Sequence, residues 1–230
     1  MQRYQAQRMF LFGFHKKQVL DTSFCGIHLQ NPVGVRLLPE ARPLQAIKRT
    51  NAGFITLAPP KDHVLDWITG LQEYRDKTVL ALNVSSDLAR SFSLVYDFSD
   101  FIIIDPDGDN GIDSPDLSDT SVLLDEVVNL RLCYEHYTPI VLRLSHGHTP
   151  EEIQSLLDHC RISGIDGMVA PGPKKVRMIV EQTQGRFPVI GSAQSPEEAL
   201  ECFQAGASLV ETSNMGSCTF SKLLHSLPQL

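Results

Sequence analysis

The chain has 230 residues, 42% hydrophobic and 20% charged, which supplies apolar side chains for a substantial buried core and excludes a disordered chain. A net charge of −7 argues against a nucleic-acid binder, which needs a basic face, and leaves room for a small local anion site. No apolar run approaches the roughly 20 residues that cross a bilayer, no signal-peptide pattern opens the sequence, and Cys25, Cys133, Cys160, Cys202 and Cys218 make no C-x-x-C pair. Reduced thiols in a cytoplasmic protein are therefore expected.

Along the chain, short apolar strands alternate with helix-length amphipathic segments. "RMFLFGF" (Arg8 to Phe14) is too short to span a membrane. It is expected to pack on the body of the protein, with peripheral membrane contact as the other reading. Residues 1–30 precede the first strand and are expected to close the bottom of the fold. The strand "VGVRLL" is followed by the helical "RPLQAIKRT", "GFITLA" by "HVLDWITGLQEY", "TVLALNV" by "DLARSFSLVYDF", and "DFIIID" by "DTSVLLDEVVNLRLCYEHY". In the second half, "PIVLRLS" leads to "TPEEIQSLLDHCRISG", whose Thr149, Pro150, Glu152 and Gly164 punctuate a helix from capping box to glycine stop. "DGMVA" then leads to "PKKVRMIVEQTQG", "FPVIG" to "SPEEALECFQAG", and "ASLVET" to "FSKLLHSL".

Eight βα units in succession, with strands apolar throughout, predict a single (β/α)8 TIM barrel over residues 1–230. Function in such barrels sits on the loops after the strands. That directs attention to Arg36–Arg42, Pro59–Asp62, Asn83–Asp87, Asp105–Asp116, Ser145–His148, Pro171–Lys175, Gly191–Ser195 and Glu211–Gly216.

Three of these loops carry chemistry-bearing patterns. In "DPDGDNGIDSPD", Asp105, Asp107, Asp109, Asp113 and Asp116 have the spacing of a calcium loop. Asn110 holds the glycine position there, and the last ligand is an aspartate where a bidentate glutamate is usual. The other reading is a solvated turn-forming loop. "SHGHT" offers His146 and His148, two ligands at most, which read more simply as solvated loop histidines. Ser192, Ala193, Ser213 and Asn214 follow the last two strands, a common anion site in these barrels. Lys174, Lys175 and Arg177 read as a solvated basic face, and Cys25, Cys160 and Cys202 as core residues.

Several stretches, taken in order, resemble the dihydroorotate dehydrogenases, which are FMN-carrying barrels. "FCGIHLQNPVGV" is similar to that family's entry into its first strand, "NAGFITLAPP" to its second, and "VLALNVSSD" to its L-G-I-N-I-G-K-N segment. "RLSHGHTPEEIQSLLDHCRISGIDGMVAPG" resembles the lysine-bearing strand through to the G-I-D-G strand. "GRFPVIGSAQSPEEALECFQAGASLVETSNM" resembles the I-P-I-I-G-V-G-G, D-A-L and A-G-A-S-L-V-Q-L-Y-T segments. "RMFLFGFHKKQ" resembles the lead-in of the membrane-associated class. The resemblance implies FMN as cofactor, pyrimidine biosynthesis as setting, a small-molecule ligand at the barrel mouth and a homodimer. It implies cofactor contacts at Asn83, Asn110, Arg143, Gly191, Ser192, Ala193, Ser213 and Asn214.

The departures from that family are as informative. Its proton-abstracting serine falls at Gly108, and glycine cannot act as a base. Its two flavin lysines fall at Ala41 and Arg143, the asparagine after its sixth strand at Gly172, and its small A-A-G residues at Arg36, Leu37 and Leu38. Its G-V-G-G phosphate loop is shortened to "GSAQ". The sequence thus predicts a barrel without the parent oxidation, binding a small molecule or a partner. The alternatives are an active FMN oxidoreductase and a metal-assisted enzyme using the aspartates.

Overall fold

The computed structural model describes residues 20–37, 51–60, 64–71, 77–84, 88–106, 117–213 and 217–227. It opens with an antiparallel hairpin, β1 (Thr22–Phe24) and β2 (Ile27–Leu29). The barrel strands follow: β3 (Val33–Leu37), β4 (Phe54–Leu57), β5 (Val79–Val84), β6 (Phe101–Ile104), β7 (Ile140–Arg143), β8 (Gly167–Pro171), β9 (Val189–Ala193) and β10 (Leu209–Ser213). All eight are parallel and close in the order β10-β3-β4-β5-β6-β7-β8-β9. The described helices are α1 (Val64–Leu71), α2 (Leu88–Val95), α3 (Leu117–Arg131), α4 (Pro150–Ser163), α5 (Gly172–Thr183), α6 (Pro196–Gln204) and α7 (Ser217–Ser226). The expected (β/α)8 barrel is the observed architecture. The expected helix "RPLQAIKRT" and the "RMFLFGF" segment lie outside the described residues.

Local chemistry explains most boundaries. Thr149 and Glu152 close a reciprocal capping box on α4, and Gly164 ends the helix in the left-handed region at φ 82°. Ser195 caps α6 by accepting from the Glu198 N–H. Helix α3 stops at Arg131, six residues short of the predicted end, because Tyr134 leaves the helical path to stack on Tyr96 at 3.9 Å between ring centroids. The hairpin was not predicted. Its turn residues Cys25 (φ 49°) and Gly26 (φ 83°) both take positive φ, as a primed two-residue turn requires.

Strand alternation divides the buried side chains into two sets. One set, including Val35, Ile55, Leu82, Ile102, Leu142 and Val210, faces outward onto the helices. The other, Phe54, Ala81, Phe101, Ile103, Val141, Val169, Ile190 and Leu209, fills the barrel axis with Phe24 and Leu29 of the hairpin. Many of these interior residues are the first or second of their strands, so the hairpin packs at the N-terminal end of the barrel. The rings of Phe24 and Phe54 both meet Phe101, at 5.6 and 5.9 Å between centroids. The lower half of the axis is therefore a buried aromatic and aliphatic plug.

That plug needs a glycine. A Cβ on Gly34 would stand 2.4 Å from the Phe54 ring, so only a residue without a side chain lets the ring lie across the axis. We expect Gly34→Ala to lower stability by about 1–3 kcal/mol, the ordinary cost of overpacking. Gly70, in α1 with nothing within 4 Å of an added Cβ, provides the control. Gly70→Ala should raise stability by roughly 0.5–1 kcal/mol. Urea unfolding of both variants checks the opposite signs.

Candidate functional site

Above the plug, the same inward parity places polar side chains. Arg36 and Thr56 follow Gly34 and Phe54, Asn83 follows Ala81, Asp105 follows Ile103, Arg143 follows Val141, Ser192 follows Ile190, and Glu211 follows Leu209. The upper half of the axis thus holds charge where the lower half holds rings.

These charges neutralise one another across the barrel. Glu211 has no solvent exposure, and its carboxylate accepts from both terminal nitrogens of Arg143, with Nη2 to Oε2 at 3.2 Å. Thr56 donates its hydroxyl to Glu211 Oε2 at 3.0 Å. The Nε of Arg143 lies 3.1 Å from Asp105, which is also paired with Arg36 Nη2 at 3.3 Å. Burial works to raise the pKa of Glu211. The adjoining Arg143, with Arg36 and the Thr56 hydroxyl, outweighs it and holds the carboxyl below its ordinary range. Arg36 keeps about a quarter of its side chain in solvent, whereas Arg143 is 8% exposed. Among the described residues, two arginines and two carboxylates pair across the floor of the mouth.

Asn83 stands apart from this lattice. It is 5% exposed, and its side-chain oxygen is buried with no hydrogen-bond partner. Around the same rim, Ser192 and Ser213 are half-buried.

The loop after β7 is tied down differently. Lys175, in the first turn of α5, donates to the carbonyls of Ser145, His146 and His148 at 2.8, 2.9 and 2.9 Å. Burial pulls this ammonium below its ordinary pKa. His148 is buried and accepts the Ser145 N–H on Nδ1 at 3.1 Å, while His146 is exposed. The expectation of two solvated histidines thus holds for His146 only. Lys174 and Arg177 are exposed, as a solvated basic face requires, and Lys175 departs from it.

The sequence-derived site residues divide accordingly. The structure brings Arg36, Asp105 and Arg143 together and places Asn83 on the inward face nearby. Gly191 is explained by packing: a Cβ there would lie 2.7 Å from Cys202 Cβ on α6. Its bare face therefore meets the helix. Ala193 is buried in the outward-facing set, and Ser192 and Ser213 face the axis. Asp107, Gly108, Asp109, Asn110, Asp113, Asp116, Asn214 and Ala41 lie outside the described residues. Among the described residues no group of three or more histidines, cysteines, aspartates and glutamates could hold a metal. Cys160 and Cys202 are buried core residues and Cys25 is half-buried; these three and the exposed Cys133 are free. Thr56 was missed in the sequence, and Glu211 was marked only by its rim position. A lone polar residue at each inward site of an apolar strand was the available signal.

No protein-family model matches the sequence, and no curated protein matches it. Solved structures do. A dihydroorotate dehydrogenase from Eimeria tenella in complex with ferulenol superposes with a TM-score of 0.72 at 16% identity, covering 94% of this chain and 86% of that one. The ligand-free enzyme from the same organism gives 0.71 at 15% identity, over 91% and 88% of the two chains. A mandelate oxidase variant holding an FMN monooxide adduct gives 0.63 at 18% identity, over 92% and 76%. The chain therefore has the barrel fold found in dihydroorotate dehydrogenase and FMN-dependent oxidase structures.

The lattice makes a direct prediction. Arg143→Met strands a buried carboxylate and should cost about 3–5 kcal/mol, whereas the Arg143→Met, Glu211→Met pair should cost far less. The folded pKa of Glu211 lies below its unfolded value, so its stabilisation is complete above about pH 4.5 and is lost as pH falls through the depressed value. The stability gap between wild type and Glu211→Gln, measured by urea unfolding across pH, should therefore narrow only on the acid side.

Proposed function

We propose that this protein is a dihydroorotate dehydrogenase-like barrel that no longer carries out flavin-dependent dihydroorotate oxidation and instead binds a small molecule at the barrel mouth. The single observation that carries the reading is the ion-pair lattice of Arg36, Asp105, Arg143 and Glu211. At the position where the resembling family presents a flavin lysine, Arg143 is already committed to two carboxylates. A cation so paired has little charge left for a flavin ring.

Further features support the reading. FMN needs a phosphate cradle of close backbone N–H groups, which glycines facing the ligand allow. Gly191 faces Cys202 of α6, so its missing side chain serves helix packing. Arg36 reaches across the mouth to Asp105, where the resembling family has a small residue. Gly108 at the serine position supplies no proton-abstracting group. The residues at the mouth thus do not suit FMN, and we derive no chemical step through it. Asp105, spent on two arginines, is also withdrawn from the calcium reading of the aspartates. A cytoplasmic location with free thiols, and a homodimer, complete the proposal.

A second reading has one observation in its favour: the mandelate oxidase structure of the same fold holds an FMN adduct. On that reading the protein is an active FMN oxidoreductase, of the dihydroorotate dehydrogenase type in pyrimidine biosynthesis. Thermal unfolding with added FMN and with added orotate separates the two. A ligand at a hundredfold excess over its Kd adds about 2.7 kcal/mol, or roughly 5–10 °C in Tm for a domain of this size. We expect no shift with either compound and no reduction of an electron-accepting dye by dihydroorotate. A shift of that size with FMN, or dye reduction, would favour the oxidoreductase.

A further inference from the structure

Helix α5 carries its exposed charges at the wrong ends for its own dipole. Lys174 and Arg177 lie in its N-terminal half and Glu181 in its last turn, whereas a helix favours anions at its N-terminus and cations at its C-terminus. Helices α4 and α6 follow that rule, each with two glutamates in its first turn. Lys175, also near the start of α5, is accounted for by its three carbonyl acceptors. Nothing in the described protein accounts for the other three. All are exposed, and none of their side chains forms an ion pair or hydrogen bond with a described residue. Arg177 and Glu181 stand one turn apart, but in the order opposite to the one that pairs best along a helix.

The same three side chains line a groove of about 570 Å³, together with Met178 and, from α6, Glu201. A second copy of this chain fits that groove by charge. Lys174 and Glu181 are about 10 Å apart along the helix. A two-fold axis midway between them, beside Met178, sets two α5 helices antiparallel. Lys174 of each copy then faces the partner's Glu181, and Arg177, near the axis, faces the partner's Glu201. The cations of each helix come to lie beside the negative end of the other helix's dipole, where they are favoured. The ridge of one α5 enters the groove of the other, as helices ordinarily pack. From the reversed charges and the groove we infer that α5 and the α5–α6 groove form a two-fold interface between two copies of this chain. This rests on the homodimer in the proposed function and names its surface.

Charge reversal tests it, read by sedimentation of the full chain at micromolar concentration. We expect a dimer for the wild type. Lys174→Glu alone and Glu181→Lys alone each create two like-charge contacts across the axis and should weaken dimerisation about tenfold or more. Both substitutions in one chain exchange the charges and should restore the dimer, as should mixing the two single variants. Each substituted site is exposed, and each new charge stands at the end that the helix dipole favours. The variants should therefore keep the wild-type circular dichroism. A dimer indifferent to both single reversals would overturn the inference and leave the homodimer standing. Single reversals that dissociate the dimer without rescue by the double variant or the mixture would overturn it in the same way. A monomeric wild type would overturn both the interface and the homodimer, and would leave the flavin reading to its own test with added FMN.

Discussion

A carboxylate with no solvent exposure can sit on the axis of a barrel only if a cation meets it there, and Glu211 is met by Arg143. Removing an ion from water costs several kcal/mol even after relaxation, so neither partner is tolerable alone. The pair reaches across the barrel, since β7 and β10 are separated by β8 and β9 in the strand order. Arg143 also holds Asp105 at the end of β6, and Asp105 draws in Arg36 from β3. Backbone hydrogen bonds close the barrel around its circumference. These side chains brace it across its diameter.

The axis is consequently built in two halves of opposite character. Below, the tilted rings of Phe24, Phe54 and Phe101 meet in a buried plug that requires Gly34. Above, seven of the eight strands continue with a polar residue of the same inward parity, and β8 continues with Pro171. The lower half carries the apolar burial that stabilises the fold. The upper half adds the ion lattice, whose members cannot be changed one at a time without cost.

Much of the frame was legible in the sequence. Continuous apolar runs such as "FIII" and "PIVLRL" announce strands covered on both faces, and Thr149, Glu152 and Gly164 mark both ends of α4. The hairpin was not legible, because Cys25 is an unusual residue for a left-handed turn position and masks the primed-turn signature beside Gly26. The early end of α3 depends on Tyr134 meeting Tyr96, a tertiary contact that local periodicity does not carry. The site was half legible. Arg36 and Arg143 stood out as departures from a motif and Asp105 as the first aspartate of its loop, but their mutual pairing depends on the order of strands around a closed barrel. Glu211 looked like the tail of an apolar strand, and Gly191 looked like a phosphate loop until its neighbour proved to be Cys202.

We propose that an internal ion lattice stands at the barrel mouth in place of a flavin. The visible absorption spectrum of the protein as purified, read against its protein concentration, tests it most directly. The account predicts a colourless protein without flavin bands. A yellow protein carrying flavin in near-equal proportion to chain would contradict it.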